Sequence, residues 1–226
     1  MQREMRPRVA LIHAVTLAID PVQEAFRRLW PDAYCSNLLE DSLGPDRERE
    51  GELTAGLTAR IGTLADYAAS TGADGVLFTC SSFGPAIEQA AARLPIPVLK
   101  PNEAMFEAAF ETGDQVGMLS SFAPAVASME QEFIELARLK GAKNARIRTV
   151  CVPGAMHALR AGKGEEHDRL LAEAAAELSG CEAIMLAQFS TARAERAVAA
   201  TVPCPVLTSP AAAVQKLRRA ITGDAP

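Results

Sequence analysis

Apolar positions in this chain come in short runs, separated by longer stretches in which apolar residues return every three or four positions. The runs read as strands at 8–13 (RVALIH), 75–79 (GVLFT), 97–99, 115–119 (QVGML), 146–152 (RIRTVCV), 183–187 (AIMLA) and 205–207, with a weaker one near 33–38. The longer stretches read as helices at 21–29, 49–70, 83–93, 102–112, 123–140, 165–179, 191–200 and 209–222. Strands that are apolar throughout belong to parallel sheets, because the crossovers between parallel strands cover both faces with helices. The predicted class is α/β.

The pattern also repeats. Residues 72–101 lie over 180–209 without a gap, and nine of the 30 pairs are identical, three of them alanines. Gly72 meets Gly180, Ser82 meets Ser190, and Pro95-x-Pro97-Val98-Leu99 meets Pro203-x-Pro205-Val206-Leu207. The strand at 8–13 matches the one at 115–119 at nearly the same shift. The chain therefore reads as two pseudo-symmetric, flavodoxin-like parallel-sheet halves, 1–113 and 114–226, with Gly113-Asp114 as the punctuation. The last helix, 209–222, stays with the second half or packs back on the first; the sequence leaves both open. Such a pair of halves predicts a cleft between them, lined by residues just past the carboxyl ends of the strands.

Composition narrows the function. The 226 residues are 49% apolar and 23% charged, which excludes a disordered or fibrous chain. With 23 basic against 28 acidic residues the net charge is −5, and no basic surplus exists to meet a nucleic acid. Aromatics at 5% are too few for a base-stacking platform. No apolar run reaches the roughly 18–20 residues of a membrane span. Arg3, Arg6 and Arg8 before Val9–Ile19 imitate a signal peptide, but Glu4, His13 and Thr16 interrupt it and no cleavage site follows. The five cysteines are Cys35, Cys80, Cys151, Cys181 and Cys204, an odd and widely spaced set without Cys-x-x-Cys. That reads as a reduced, cytoplasmic protein rather than a disulfide framework. Three histidines without a His-Glu-x-x-His pattern predict no metal.

The strand ends hold the candidate chemistry. Thr79-Cys80-Ser81-Ser82 follows the third strand and opens a helix. Helix-terminal amides there would lower the Cys80 pKa, and Ser81, Ser82 and free N–H groups would hold a carboxylate; the other reading is an inert cysteine beside an ordinary serine cap. In the second half Gln188 takes the place of Cys80, followed by Phe189-Ser190. Gln188 donates and accepts hydrogen bonds but is no ordinary acid or base. His13 closes the first strand, as a core histidine or a proton relay. Ser120 and Ser121, followed by Phe122, close the strand at 115–119 as candidate anion donors. Glu103 reads as a favourable helix-start acid or as a site carboxylate. Asp46-Arg47-Glu48-Arg49-Glu50, His157, His167-Asp168 and the basic residues of the last helix read as surface. Residues 39–47 and 154–164 read as specificity loops, with Gly154–His157 mobile. Gly162-Lys163-Gly164 is too short for a phosphate loop.

Duplicated α/β halves, the strand-end Thr79-Cys80-Ser81-Ser82 and the matching element at 183–191 resemble the aspartate/glutamate/hydantoin racemase superfamily. Ile12-His13-Ala14, Asn37–Leu43, Lys100-Pro101-Asn102-Glu103-Ala104 and Leu186–Ser190 resemble a less characterised branch of it. The resemblance spans nearly the whole chain. It implies a cofactor-independent isomerase acting on the carbon next to a carboxylate or carbonyl, with a small carboxylate or hydantoin-like substrate. Racemases of that family use two facing cysteines. Cys80 matches the first position and Gln188 stands at the second. On this resemblance Cys80 is the catalytic thiolate, Gln188 a polar partner and His13 an auxiliary group; Ser81, Ser82, Ser120, Ser121, Phe122 and Ser190 bind substrate. One-thiol chemistry of the arylmalonate decarboxylase type is the alternative, although those enzymes keep the second-half cysteine. A catalytically silent binder of small acids is the third reading. A homodimer is the default assembly.

Overall fold

The structure, a computed structural model, describes residues 6–223; Arg3 and Glu4 of the signal-like stretch lie outside them. The chain forms two compact units, 6–101 with 213–223, and Asn102–Ala212. The first contains β1 (Arg8–His13), α1 (Ile19–Leu29), β2 (Tyr34–Leu39), α2 (Leu43–Glu50), α3 (Ala55–Ser70), β3 (Gly75–Phe78), α4 (Gly84–Arg93) and β4 (Val98–Leu99). The second contains α5 (Glu103–Thr112), β5 (Gln115–Ser120), α6 (Ala123–Lys140), β6 (Arg146–Cys151), α7 (Pro153–Arg160), α8 (Gly164–Ala174), β7 (Ala183–Leu186), α9 (Glu195–Ala199) and β8 (Val206–Thr208). A last helix, α10 (Ser209–Thr222), follows.

Each unit is built on a four-stranded parallel sheet, with order β2-β1-β3-β4 in the first and β6-β5-β7-β8 in the second. The strand order is the same in both, so the internal repeat is a repeat of topology. The central strands are the continuous apolar runs: β3 and β7 are buried along their whole length, and β1 and β5 are buried beyond their first residue. Burial on both faces is what a helix-covered parallel strand requires. On one face of the first sheet, Ile61, Ala65 and Ala68 of α3 recur at helical spacing and pack with Ile12, Val76 and Phe78. In the second unit Phe133 of α6 meets Phe106 and Phe110 of α5 edge-on, with ring centroids 5.5 and 4.9 Å away.

Several elements differ from the sequence expectation. The unit boundary falls at 101/102 rather than 113/114, because α5 carries Met105, Phe106 and Ala109 into the core around Val116, Met118 and Phe133. From Ala213 onward α10 belongs to the first unit. There Leu217 and Ile221 press on Gly75 of β3, where a Cβ would come within 2.9 and 2.8 Å of their methyl groups. The single helix expected at 49–70 is two helices. Gly51, at φ +74°, ends α2 in the left-handed conformation, and the Thr54 hydroxyl accepts the Leu57 N–H at 3.3 Å to start α3. Gly154–His157, expected as a mobile loop, lies in α7, which Pro153 opens and Ala155 and Ala158 bury. The stretches expected as helix at 165–179 and 191–200 are partly 3-10, at Ala175–Leu178 and Phe189–Ala194. No helix among the described residues is long and apolar enough to cross a membrane.

Candidate active site

In the first unit the predicted residues gather where the strands leave the sheet. His13, the last residue of β1, is fully buried. Its Nδ1 lies 2.9 Å from Thr79 Oγ1 and its Nε2 lies 3.0 Å from Asn37 Oδ1. With the Asn37 carbonyl facing the ring, Nε2 carries the proton and Nδ1 accepts the Thr79 hydroxyl. Burial lowers the His13 pKa, and the Asn37 hydrogen bond opposes this without overcoming it. The ring is therefore neutral, and it ties the exit of β1 to β2 and to the residue that precedes Cys80. Both nitrogens are occupied within the unit, which makes His13 a brace rather than an open proton relay.

Cys80 is half-buried, with extended backbone (φ −125°, ψ 123°), at the N-cap of the 3-10 turn Ser81–Phe83. Burial pushes its thiol pKa up, outweighing hydrogen bonds from the Ser82 N–H and the Ser82 hydroxyl. The sequence predicts the opposite direction. The reason for the difference is burial: the Ser82 N–H and hydroxyl do reach the sulfur, but they do not offset the cost of desolvating the thiolate. Ser81 is half-buried and Ser82 exposed.

The segment after β2 is charged but internally paired. Arg60 of α3 binds Glu40, Ser42 and Asp46, the last at 2.5 Å. Arg60 holds the Asp46 carboxyl below the usual range. Burial raises the Glu40 pKa, but Ser42 and Arg60 together bring it down. Asp46 thus belongs to a bridged cluster rather than to a merely solvated face, and Arg47 of the same run has a buried Nε with no partner among the described residues.

In the second unit Gln188 occupies the N-cap of the 3-10 turn Phe189–Ala194, with φ −119° and ψ 154°. Its Oε1 accepts the Ser121 N–H at 3.1 Å and the Ser121 hydroxyl at 3.4 Å, and its Nε2 donates to Ser120 Oγ at 3.0 Å. Its backbone N–H donates to Thr191 Oγ1 at 3.1 Å, and that hydroxyl donates back to the Gln188 carbonyl at 2.7 Å. Ser120 and Ser121 are buried; Ser121 donates to Gln188 and Ser120 Oγ accepts from it. Ser190 is 9% exposed and Phe122 40% exposed.

The other thiols stand elsewhere. Cys35 lines a groove with Phe26 and Trp30 at the entry end of β2, and burial pushes its pKa to about 12. Cys181 and Cys204 precede β7 and β8. Cys151, read from sequence as internal to a strand, is the last residue of β6 and the register partner of Ser120. It is the second cysteine at a strand exit among the described residues. His167, expected at the surface, is fully buried; its Nδ1 lies 2.8 Å from Asp168 Oδ1, which also accepts Arg193 Nε at 2.8 Å. Its spacing of four from the buried Leu171 was the available signal. Thr79, Asn37, Thr191 and Arg60 are site residues to which sequence reasoning assigned no role. Thr79, Asn37 and Arg60 act through partners 14 to 66 positions away, whereas Thr191 bonds Gln188 three residues before it. No group of three His, Cys, Asp or Glu side chains among the described residues is arranged to hold a metal ion.

The sequence model of the Asp/Glu/hydantoin racemase family matches residues 14–217. No curated protein sequence matches the chain significantly. Among solved structures, the aspartate racemase of Picrophilus torridus superposes with a TM-score of 0.70 at 14% identity, covering 96% of this chain and 94% of that one. The allantoin racemase of Klebsiella pneumoniae gives a TM-score of 0.71 at 15% identity, with 96% and 88% covered. The glutamate racemase of Thermus thermophilus, in complex with β-chloro-D-alanine, gives 0.64 at 17% identity, with 96% and 81% covered. At these identities the likeness is one of fold.

Proposed function

The chain belongs to the Asp/Glu/hydantoin racemase family, and from that membership we propose that it is a racemase-type isomerase of small carboxylates or hydantoins, with Cys80 as the thiolate that moves the proton on the carbon next to the carbonyl. The observation that carries this reading is the setting of Cys80. The thiol stands at the exit of a buried strand, braced through Thr79 by His13, with two Ser82 donors on its sulfur. Those donors favour the thiolate once it forms. A thiolate whose conjugate acid is weak is a strong base, which suits a weakly acidic α-proton. Its abstraction protonates the Cys80 thiolate and leaves an enediolate, or the hydantoin equivalent, delocalised into the adjacent carbonyl; inversion is completed when solvent water delivers a proton to the opposite face and the Cys80 thiol releases its own to solvent. Hydroxyl and N–H donors stabilise that charge, so the reading calls for no cofactor.

One observation favours a second reading. Gln188 takes the position in the second unit that Cys80 takes in the first, and its amide is engaged with Ser120 and Ser121. It supplies no acid or base. One-thiol chemistry fits that: carbon dioxide leaves a substituted malonate, and the Cys80 thiol protonates the enediolate.

The test is a panel of amino acids, hydantoins, maleate and substituted malonates given to the purified protein and its Cys80→Ser variant. Products are read by chiral chromatography and by carbon dioxide release. The proposal expects both enantiomers from one, and loss of that activity in the variant by a factor of about 10²–10⁴ or more. Carbon dioxide release selects the second reading. Equal activity of the variant removes Cys80 from the mechanism, and binding without reaction across the panel leaves a small-acid binder.

A further inference from the structure

We propose that the substrate of this site carries an apolar substituent on the reacting carbon, a branched aliphatic or aromatic group, rather than a second carboxylate. The inference rests on the proposed function above and names its substrate class. Three large apolar side chains stand in water where β1 and β2 leave the first sheet: Val15 at 46% exposure, Leu17 at 42% and Leu39 at 43%. Leu39 is the register partner of His13, and His13 is bonded to Thr79, the neighbour of Cys80. The three therefore flank the edge from which the thiol emerges.

The same feature recurs in the second unit. Phe122 follows β5 by two residues, as Val15 follows β1, and it is 40% exposed. The two sheets share one strand order, so Val15 and Phe122 are equivalent positions, and both units leave an apolar side chain uncovered there. Four of the eight large apolar residues exposed among the described residues thus stand at strand exits. Scattered exposed leucines need no explanation, but recurrence at one position of a duplicated fold does.

The charges within each unit argue in the same direction. A second carboxylate needs a cation or a cluster of donors. Arg60 is already shared by Glu40 and Asp46, two acids on one guanidinium. Arg193 of the second unit is held by Asp168. Arg47 has an unpartnered nitrogen in its buried Nε, and a single N–H gives one hydrogen bond rather than a paired grip on a second carboxylate.

Binding of unreactive acids tests the class without depending on turnover. The full chain is titrated by NMR with 4-methylpentanoate and with succinate. The expected result is 4-methylpentanoate tighter by about tenfold or more, the scale of one or two methylenes in an apolar pocket. Leu39→Ser and Val15→Ser should each weaken 4-methylpentanoate severalfold and leave succinate unchanged. Succinate binding as tightly, failure of 4-methylpentanoate to bind, or indifference to both substitutions overturns the inference. The chemistry is read separately, by α-proton exchange of leucine, its hydantoin, and aspartate in D₂O. Exchange of aspartate in preference refutes the substrate class and keeps the thiolate chemistry. Selective binding of 4-methylpentanoate with no exchange anywhere keeps the class and refutes the chemistry.

Discussion

Cys80 and Gln188 occupy the same place in two sheets of one topology: each follows its strand by two residues, in extended backbone, and caps a 3-10 turn. Their side chains do different work. The sulfur of Cys80 takes bonds from the Ser82 N–H and hydroxyl, whereas the Gln188 amide bonds Ser120 and Ser121 at the exit of β5. Gln188→Leu leaves the buried Ser120 hydroxyl and Ser121 N–H without these partners. The expected cost is about 1–3 kcal/mol, read by urea denaturation of the parent and variant. A variant as stable as the parent would show that Gln188 is not the tie at this exit.

His13 does the corresponding work in the first unit, and it leaves a signature in acid. Its pKa in the folded protein lies below the ordinary value of 6.5, so the unfolded chain binds the proton more readily. The stability it contributes is complete above that value and falls as the pH drops through it toward the lowered folded value. His13→Leu should be destabilised at neutral pH and should lose this part of the acid dependence. Melting temperatures across that range, for both proteins, decide it; a parallel acid response in the two would remove His13 as its source.

The pH dependence of catalysis has the opposite sense. Burial raises the Cys80 thiol above its ordinary value of 9.0, and the active form in the proposed mechanism is the thiolate. The kcat/KM of the free protein should therefore rise with pH and reach no plateau below that value. Alkylation of Cys80 by iodoacetamide should follow the same rise, while Cys35, pushed to about 12, stays unmodified throughout. A plateau near neutral pH would mean that another group performs the proton transfer.

Cys151 offers a control within the same molecule. It closes β6 beside Ser120 and is the remaining thiol at a strand exit among the described residues. Cys151→Ser should leave α-proton exchange intact, because Cys80 performs it. Loss of exchange in this variant, measured by NMR at matched protein concentration, would move the base to the second unit.

Much of this arrangement was legible in the residues. The apolar runs gave both sheets, because buried parallel strands need no polar face, and the Pro-x-Pro-Val-Leu repeat gave the duplication. Cys80 stood out for its place at a strand end. The pairs that brace the strand exits of each unit could not be read in the same way. His13 to Asn37 and Thr79, and Gln188 to Ser120 and Ser121, join residues 24 to 68 positions apart. Local pattern carries periodicity but not partners. The direction of the Cys80 pKa is hidden for a related reason, since sequence marks a helix start without showing how deeply tertiary packing buries the thiol beside it. The break at Gly51 to Thr54 was available as a glycine followed by a cap residue, but the charged run before it hid α2.

The most direct measurement is α-proton exchange in D₂O, followed by proton NMR, for a single enantiomer of a reactive acid or hydantoin with the parent and with Cys80→Ser. The account predicts steady loss of the α-proton signal with the parent and none above background with the variant. Exchange by Cys80→Ser at the parental rate would contradict it.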